Sequence, residues 1–130
     1  MSESDHQTAI VKWWRLKHPK LKRMLIPSQS GVMIGGKSKF GIIAKQKREG
    51  WIAGVPDIFI AVPRGGYHGL WLELKDSGKT KSSLSKDQVQ YFSDLGEQGY
   101  SAAWCAGSAQ AIEIIEHYMS LNICITEKRD

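Results

Sequence analysis

The sequence has few cysteines and no long apolar run. Cys105 and Cys124 are the two cysteines of the 130 residues, and their spacing forms no C-x-x-C pair. Neither a zinc knuckle nor a disulfide framework is therefore indicated, and free thiols in a reducing compartment are expected. No window approaches the roughly 18 consecutive apolar residues of a membrane span. The opening "MSESDHQ" is polar with no apolar run behind it, so we expect a cytoplasmic protein with no membrane partner.

Internal repeats and low-complexity linkers are also missing from the sequence. The length and the 42% hydrophobic content fit one compact domain with a sizeable core, which we expect to span residues 1–130. A single site is the natural expectation for such a chain.

Acidic residues are missing from a long stretch of the chain. Eleven Lys and Arg but no Asp or Glu lie from Lys12 to Arg48, in a sequence whose net charge is +5. Such a block focuses positive potential over one region, which suits a polyanion such as nucleic acid better than a small neutral substrate. An ordinary solvated basic surface is the alternative.

Hydrophobic spacing predicts helices and strands along the chain. An amphipathic helix is predicted from about Glu3 to His18, where Pro19 stops it, and "LKRMLIP" is typical of a short strand. The segments "DIFIAV" and "LWLELK" predict two strands joined by the hairpin-like "PRGGYHG". A helix opened by Ser85, the strand "YSAAWCA" and a helix capped by Ser108 follow. Strand, helix and strand in this order predict a right-handed crossover and a parallel pair, hence one mixed sheet with helices packed on it.

The alternation in "LWLELK" brings charged side chains together. Its three leucines share one face of the strand, while Trp71, Glu73 and Lys75 share the other. The preceding strand begins with Asp57, and the two strands are joined by a hairpin, so Asp57 can reach the region of Glu73. Two carboxylates at one place favour a bound cation.

Hard divalent ions such as Mg²⁺ take oxygen ligands, commonly one or two carboxylates with waters and phosphate oxygens. Asp57, Glu73 and the backbone carbonyl of Leu74 would supply such a set. A bound ion would stabilise charge on a scissile phosphate, and Lys75 would orient or deprotonate the attacking water or neutralise the transition state. The alternative is a turn at Pro56-Asp57 and a solvated Glu73–Lys75 pair worth under about 1 kcal/mol.

A family resemblance bears on this choice. Pro56-Asp57, then fifteen residues, then Glu73-Leu74-Lys75 resembles the PD-(D/E)XK signature of restriction-endonuclease-like nucleases. More narrowly, "GVPDIFIA…GLWLELK…LSKDQVQYFSDLGEQGYSAAWCAG" is similar to the VRR-NUC family of virus-type replication-repair nucleases. Members of this family occur as small stand-alone phage and bacterial proteins and as the catalytic domain of a eukaryotic DNA-repair nuclease.

The resemblance implies an α/β fold with a restriction-endonuclease-like αβββαβ core, in which helices flank a mixed central sheet. It also implies Mg²⁺- or Mn²⁺-dependent cleavage of DNA, with a preference for branched or flapped substrates such as four-way junctions. The family's catalytic positions fall on Asp57, Glu73, Lys75 and Gln88, and a further metal-binding glutamate falls on Glu3.

Structural roles are open alternatives for the more peripheral of these residues. Glu3 is also an acid favourable at a helix N-terminus, and Gln88 also completes an S-x-x-Q capping box with Ser85. His6 lies one turn from Glu3, and we expect it in a solvated position or a helix contact rather than in the site.

Basic residues around the E-x-K strand are candidate phosphate contacts, with an ordinary solvated surface as the alternative. They are Lys37, Lys39, Lys45, Lys47, Arg48, Lys79, Lys81 and Lys86.

One site cuts one strand at a time, so symmetric cleavage of a four-way junction needs two sites related by a two-fold axis. We therefore expect a homodimer, with the Trp13-Trp14 helix and the segment "LNICI" as candidate interfaces. Two rival functions remain open: a catalytically silent DNA-binding module of the same fold, and an adaptor that binds an acidic partner through the basic surface.

Overall fold

The structure is a computed structural model that describes residues 1–28 and 39–123, and of Lys39 and Phe40 only the backbone. Helices and strands follow one another as α1 (Glu3–Lys17), β1 (Leu25–Pro27), α2 (Lys39–Arg48), β2 (Ile58–Ile60), β3 (Leu70–Lys75), α3 (Lys86–Glu97), β4 (Ser101–Ala106) and α4 (Ser108–Ser120). Without α2, the order from α1 to β4 is αβββαβ. The predicted α/β class and its core are confirmed.

The strands of the described part form one mixed sheet in the order β1-β2-β3-β4. The β1–β2 and β2–β3 pairs are antiparallel, whereas β3 and β4 are parallel and are joined through α3. This is the crossover that the strand-helix-strand order predicts. The register pairs Ile58 with Leu72 and Glu73 with Trp104, which places the E-x-K sequence in the interior of the sheet at its β3 position.

Helices α1 and α4 pack together on the leucine face of β3, and this layer holds the main core. The core members on β3 are Leu70, Leu72 and Leu74, as the alternation predicts, and Ile10 and Trp14 bring α1 onto them with no exposed surface. Helix α3 packs against β4 and contacts Glu73 through a side-chain hydrogen bond, so it covers the opposite face. The sheet therefore lies between two helical layers.

The prediction of a strand throughout "LKRMLIP" is wrong in its first part. Two 3-10 turns, which meet in a kink at Leu21, run from Pro19 to Met24, and only Leu25–Pro27 pairs with β2. Proline is well suited to the first position of such a turn because it has no N–H to leave unpaired. The Trp14 indole N–H also donates to the carbonyl of Leu21 at 2.9 Å, a contact from α1 that the local sequence does not reveal.

The prediction that Ser108 caps the last helix is also wrong. Gly107 holds the capping position with φ +90°, a conformation that favours glycine, and Ser108 is the first helical residue. The Ser108 backbone N–H donates instead to His6 Nδ1 at 3.0 Å. The His6 side chain of α1 thus accepts a backbone N–H at the start of α4, a role that a capping side chain next to the helix usually fills.

Across residues 1–28 and 39–123, no helix combines the length and the hydropathy needed to cross a bilayer.

Candidate active site

Asp57 lies immediately before β2 and reaches across to the end of β3. Its Oδ2 accepts a hydrogen bond from the backbone N–H of Leu74 at 2.8 Å. Since Leu74 lies between Glu73 and Lys75, this bond fixes the Asp57 carboxylate beside the E-x-K sequence. The prediction that the hairpin brings Asp57 to this region is confirmed.

Pro56 gives the same strand end a second feature. The β2–β3 register begins with Ile58 opposite Leu72, and Pro56 precedes this pair by two residues. The Leu74 N–H points toward Asp57 on the β2 side, and the carbonyl of a strand residue points to the same side as its N–H. Because proline has no N–H, Pro56 cannot donate to that carbonyl.

Gly54 allows this segment to approach the N-terminus of α3. It has φ +97°, and a Cβ added there would lie 2.5 Å from the backbone carbonyl carbon of Asp87. Any side chain at this position would push the segment away from α3, the helix that carries Gln88. The glycine thus matters for how closely the Asp57 and Gln88 segments pack.

Glu73 is almost completely buried, with 4% of its surface exposed. Its Oε1 accepts a hydrogen bond from Gln88 Nε2 at 3.0 Å, whereas no N–H group of the described residues donates to the buried Oε2. Burial, and then the charge of Asp57 and a hydrogen bond with it, raise the pKa of Glu73 to about 9 against the opposing charge of Lys75. Without a cation, this environment favours a proton on the Glu73–Asp57 carboxyl pair at neutral pH.

Gln88 both completes the capping box of α3 and contacts Glu73. Its backbone N–H donates to Ser85 Oγ at 3.1 Å and its Oε1 accepts from the Ser85 N–H at 2.8 Å, which completes the capping box of α3. With Oε1 occupied in this way, Nε2 is directed to Glu73. The start of α3 is thereby tied to the buried carboxyl group.

Glu3, in the first turn of α1, comes close to the same groups. Partial burial is the first cause that raises its pKa, followed by the negative charges of Asp57 and Asp76, while Lys75 and Lys79 act in the opposite direction. These electrostatic interactions place Glu3 at the end of β3, although its side chain is largely exposed. The structure thus brings Glu3 to the region of Asp57 and Glu73.

The donor set suits a hard divalent cation. In the described chain no three His, Cys, Asp or Glu side chains form a ready-made metal cluster. Asp57 and Glu73 are nevertheless two adjacent carboxyl groups whose mutual repulsion raises the pKa of Glu73, and no N–H group of the described residues donates to the buried Oε2 of Glu73. A proton or a cation removes that repulsion. Since Mg²⁺ is commonly held by one or two carboxylates and by waters, this set fits it.

Of the two expectations for His6, the solvated position is wrong and the helix contact is confirmed, since it contacts the first residue of α4. It is 5% exposed, and its Nδ1 accepts the Ser108 N–H while its Nε2 contacts Ser77 Oγ at 3.3 Å. Accepting at Nδ1 leaves Nε2 to carry the proton of a neutral ring, so His6 donates to Ser77. His6 therefore ties α1 to the start of α4 and to the segment that follows Lys75.

Helical spacing contained a signal for this burial. His6 precedes Ile10 by four residues and Trp14 by eight, so it extends the buried stripe of α1 to the first turn. The position of His6 in the helix therefore favours burial, and only its polar side chain favours a solvated position.

The predicted phosphate contacts lie at two places. Lys45, Lys47 and Arg48 are exposed on the last turn of α2, where Lys45 also forms an ion pair with Glu49 at 3.7 Å. Three further lysines are exposed in the segment between β3 and α3 or at its end, namely Lys79, Lys81 and Lys86. Lys39 begins α2, but its side chain and all of Lys37 lie outside the described part.

The metal-free protein should lose stability as pH rises from about 5 to about 9 because of Glu73. The pKa of this group is 4.5 unfolded and about 9 folded. Between these two pKa values the proton stays on Glu73 in the folded state but leaves it in the unfolded state. The stabilisation is therefore complete below the lower pKa, and it is lost as pH rises to the higher pKa. In EDTA, the melting temperature of the wild type should therefore fall over this range relative to that of Glu73→Gln. Parallel melting profiles for the two proteins would contradict the assignment.

The comparisons with known proteins agree with this geometry. Residues 1–109 match the model of the VRR-NUC domain. A solved structure of a VRR_NUC domain protein superposes with a TM-score of 0.79 at 28% identity, over 95% of this chain and 92% of that one. No curated protein matches the sequence.

Proposed function

We propose that this chain, which belongs to the VRR-NUC family of nucleases, is a metal-dependent endonuclease that hydrolyses phosphodiester bonds in DNA. The observation that carries the proposal is the buried Glu73 carboxyl group, held by Gln88, next to Asp57 and two residues before Lys75. Placing a buried acid next to a second, half-buried acid costs stability, and a site for a cation and a phosphate would explain why these residues are kept together.

Asp57 and Glu73 would hold Mg²⁺ or Mn²⁺ together with the backbone carbonyl of Leu74, and Glu3 would approach from α1. When bound, such an ion stabilises negative charge on the scissile phosphate and acidifies a water molecule. A divalent cation would relieve the repulsion between the Asp57 and Glu73 carboxylates, and this relief would add to the affinity of the site for the cation.

Lys75 would act on the reacting groups themselves. Its charge already acts on both Glu73 and Glu3, so its ammonium group lies near the place where the phosphate would bind. It would orient the attacking water, accept its proton or offset the charge that develops on the phosphate. Gln88 is then a positioning residue, since its amide holds one oxygen of Glu73 and leaves the other available.

The substrate would be branched or flapped DNA. The exposed lysines between β3 and α3 directly follow Lys75, and those of α2 come shortly before Asp57 in the sequence. Phosphate contacts of this kind give affinity without sequence preference. Selectivity would then depend on the shape of the DNA, in replication, recombination or repair.

The decisive experiment compares labelled flap, splayed-arm, four-way-junction and linear DNA incubated with the protein and Mn²⁺. We expect cleavage of at least one branched substrate in preference to the linear duplex, and complete inhibition by EDTA. DNA binding without cleavage in Mg²⁺ or Mn²⁺ would favour the catalytically silent module instead. Absence of both binding and cleavage would favour the adaptor.

A homodimer would allow symmetric cleavage of a four-way junction. Trp14 has no exposed surface, so the Trp13-Trp14 helix is already used within the protomer. Of the other candidate, "LNICI", the last two residues lie outside the described part, and Ile123 is 64% exposed. Light scattering coupled to gel filtration should give twice the 14.6 kDa chain mass. A monomer at micromolar concentration would exclude the dimer.

A further inference from the structure

The end of α1 that lies away from the candidate active site carries a concentration of positive charge. Six basic residues occur within twelve positions, four of them lysines, and all six side chains are exposed. We call this group of six exposed residues the distal basic patch, and its members are Lys12, Arg15, Lys17, Lys20, Lys22 and Arg23. None of them belongs to the phosphate contacts proposed above.

The charges of the distal basic patch are not neutralised by ion pairs. Within residues 1–28 and 39–123, no carboxylate lies within ion-pair distance of any of the six, and no acid occurs in the sequence between Asp5 and Glu49. Ordinary protein surfaces intersperse the two signs of charge. A one-sign surface instead raises local positive potential and attracts anions.

His18 lies at the edge of the distal basic patch and responds to its charge. Burial is the first cause that lowers the pKa of His18, and the positive charges of Lys17 and Arg64 lower it further, against the charge of Glu116 from α4. Arg64, in the connection between β2 and β3, therefore extends the positive surface beyond the helix. Glu116 marks its limit on the α4 side.

The composition of the distal basic patch favours nucleic acid over a protein partner. Lysine is depleted at protein–protein interfaces, which depend on buried aromatic and arginine anchors. The large apolar side chain exposed within the patch is Leu16, at 84%, and it belongs to no exposed apolar cluster on α1. Lysines and arginines on an open surface are the groups that contact DNA phosphates.

Helix α1 sets the distance between the distal basic patch and the site. Glu3 stands at one end of the helix and Lys17 at the other. At 1.5 Å per residue, the helix separates them by about 20 Å. Duplex DNA advances 3.4 Å per base pair, so the same distance covers about six base pairs.

We propose that the distal basic patch binds backbone phosphates of the duplex that flanks the cut, about six base pairs from the scissile phosphate. The inference rests on the proposed nuclease function, because the site at Glu3 provides the point from which the distance is counted. The contact makes the enzyme sensitive to the length of the flanking duplex and not to its sequence. A substrate arm shorter than this distance cannot reach the patch.

The test compares two triple variants at three exposed positions of the distal basic patch. Arg15→Gln with Lys17→Gln and Arg23→Gln removes three charges, while Arg15→Lys with Lys17→Arg and Arg23→Lys keeps them. The probes are flap substrates whose duplex arms, closed by hairpin loops, are either four or twelve base pairs long. Affinity is measured by fluorescence anisotropy in EDTA over a range of salt, and cleavage in Mn²⁺.

On the long arms, the Gln variant should bind at least about tenfold more weakly than the wild type, and its slope of log affinity against log salt should fall by about three. On the short arms the two should bind alike, and the charge-keeping variant should match the wild type on both. The kcat at saturating DNA should not change, because the patch lies far from Lys75.

Two outcomes would overturn the inference while the nuclease function stands, and in both the wild type cleaves DNA. In the first, the Gln variant binds DNA as tightly as the wild type. In the second, it loses the same affinity on short and on long arms. The first would assign the distal basic patch to another partner, such as an acidic protein. A wild type that binds but never cleaves, with the Gln variant weaker on long arms, would reject the proposed function and retain the contact.

Discussion

Replacing Lys75 by alanine should lower kcat for DNA cleavage by about a thousandfold, within the range found when a catalytic proton carrier or a charge-stabilising donor is removed. DNA affinity should change little, because one of many basic groups is lost and the fold does not depend on this half-buried side chain. The measurement is single-turnover cleavage of a flap substrate in saturating Mn²⁺, with affinity determined separately in EDTA.

Saturating metal is essential in this experiment. The charge of Lys75 lowers the pKa of Glu73, so its removal raises that pKa further and weakens metal binding indirectly. Lys81→Ala is the matched control, because Lys81 is an exposed lysine of the following segment and is proposed to contact phosphate only. It should weaken DNA binding modestly and leave kcat unchanged. Cleavage by Lys75→Ala at the wild-type rate would refute the role given to Lys75.

The E-x-K strand could be predicted from the sequence because the relevant information is local. A period of two assigns the leucines of β3 to one face and Glu73 to the other, and no distant contact is needed for that assignment. The hairpin connection likewise determines which strand pairs with β3. Asp57 could therefore be placed near Glu73 before the structure was known.

The position of Glu3 beside the site depends on tertiary packing, which local sequence patterns do not encode. Glu3 reaches the site because α1 packs on α4 and β3, and the His6 contacts to Ser77 and Ser108 hold its first turn there. Those partners are 71 and 102 residues away in the sequence. The failure to identify the 3-10 helix after Pro19 has a similar cause, since its contact with Trp14 comes from another element.

Replacing Asp57 by asparagine should abolish metal binding and reduce cleavage at least about a thousandfold, the equivalent of several kcal/mol of charge stabilisation. Asparagine retains an oxygen that can accept the Leu74 N–H, so the strand end should stay in place. Alanine would leave that N–H without its acceptor at a cost of about 1–3 kcal/mol. The asparagine variant therefore separates the loss of charge from the loss of structure.

The same substitution should make the metal-free protein more stable at pH 8. The charge of Asp57 and its hydrogen bond are two of the causes that raise the pKa of Glu73, so a neutral residue lowers that pKa toward its ordinary value. The folded state then gives up less stability as pH rises through this range. Melting in EDTA should show Asp57→Asn above the wild type, and Mn²⁺ should raise the melting temperature of the wild type alone. If Mn²⁺ stabilised both proteins equally, the cation would bind elsewhere, and the pairing of Asp57 with Glu73 would have to be explained as structural.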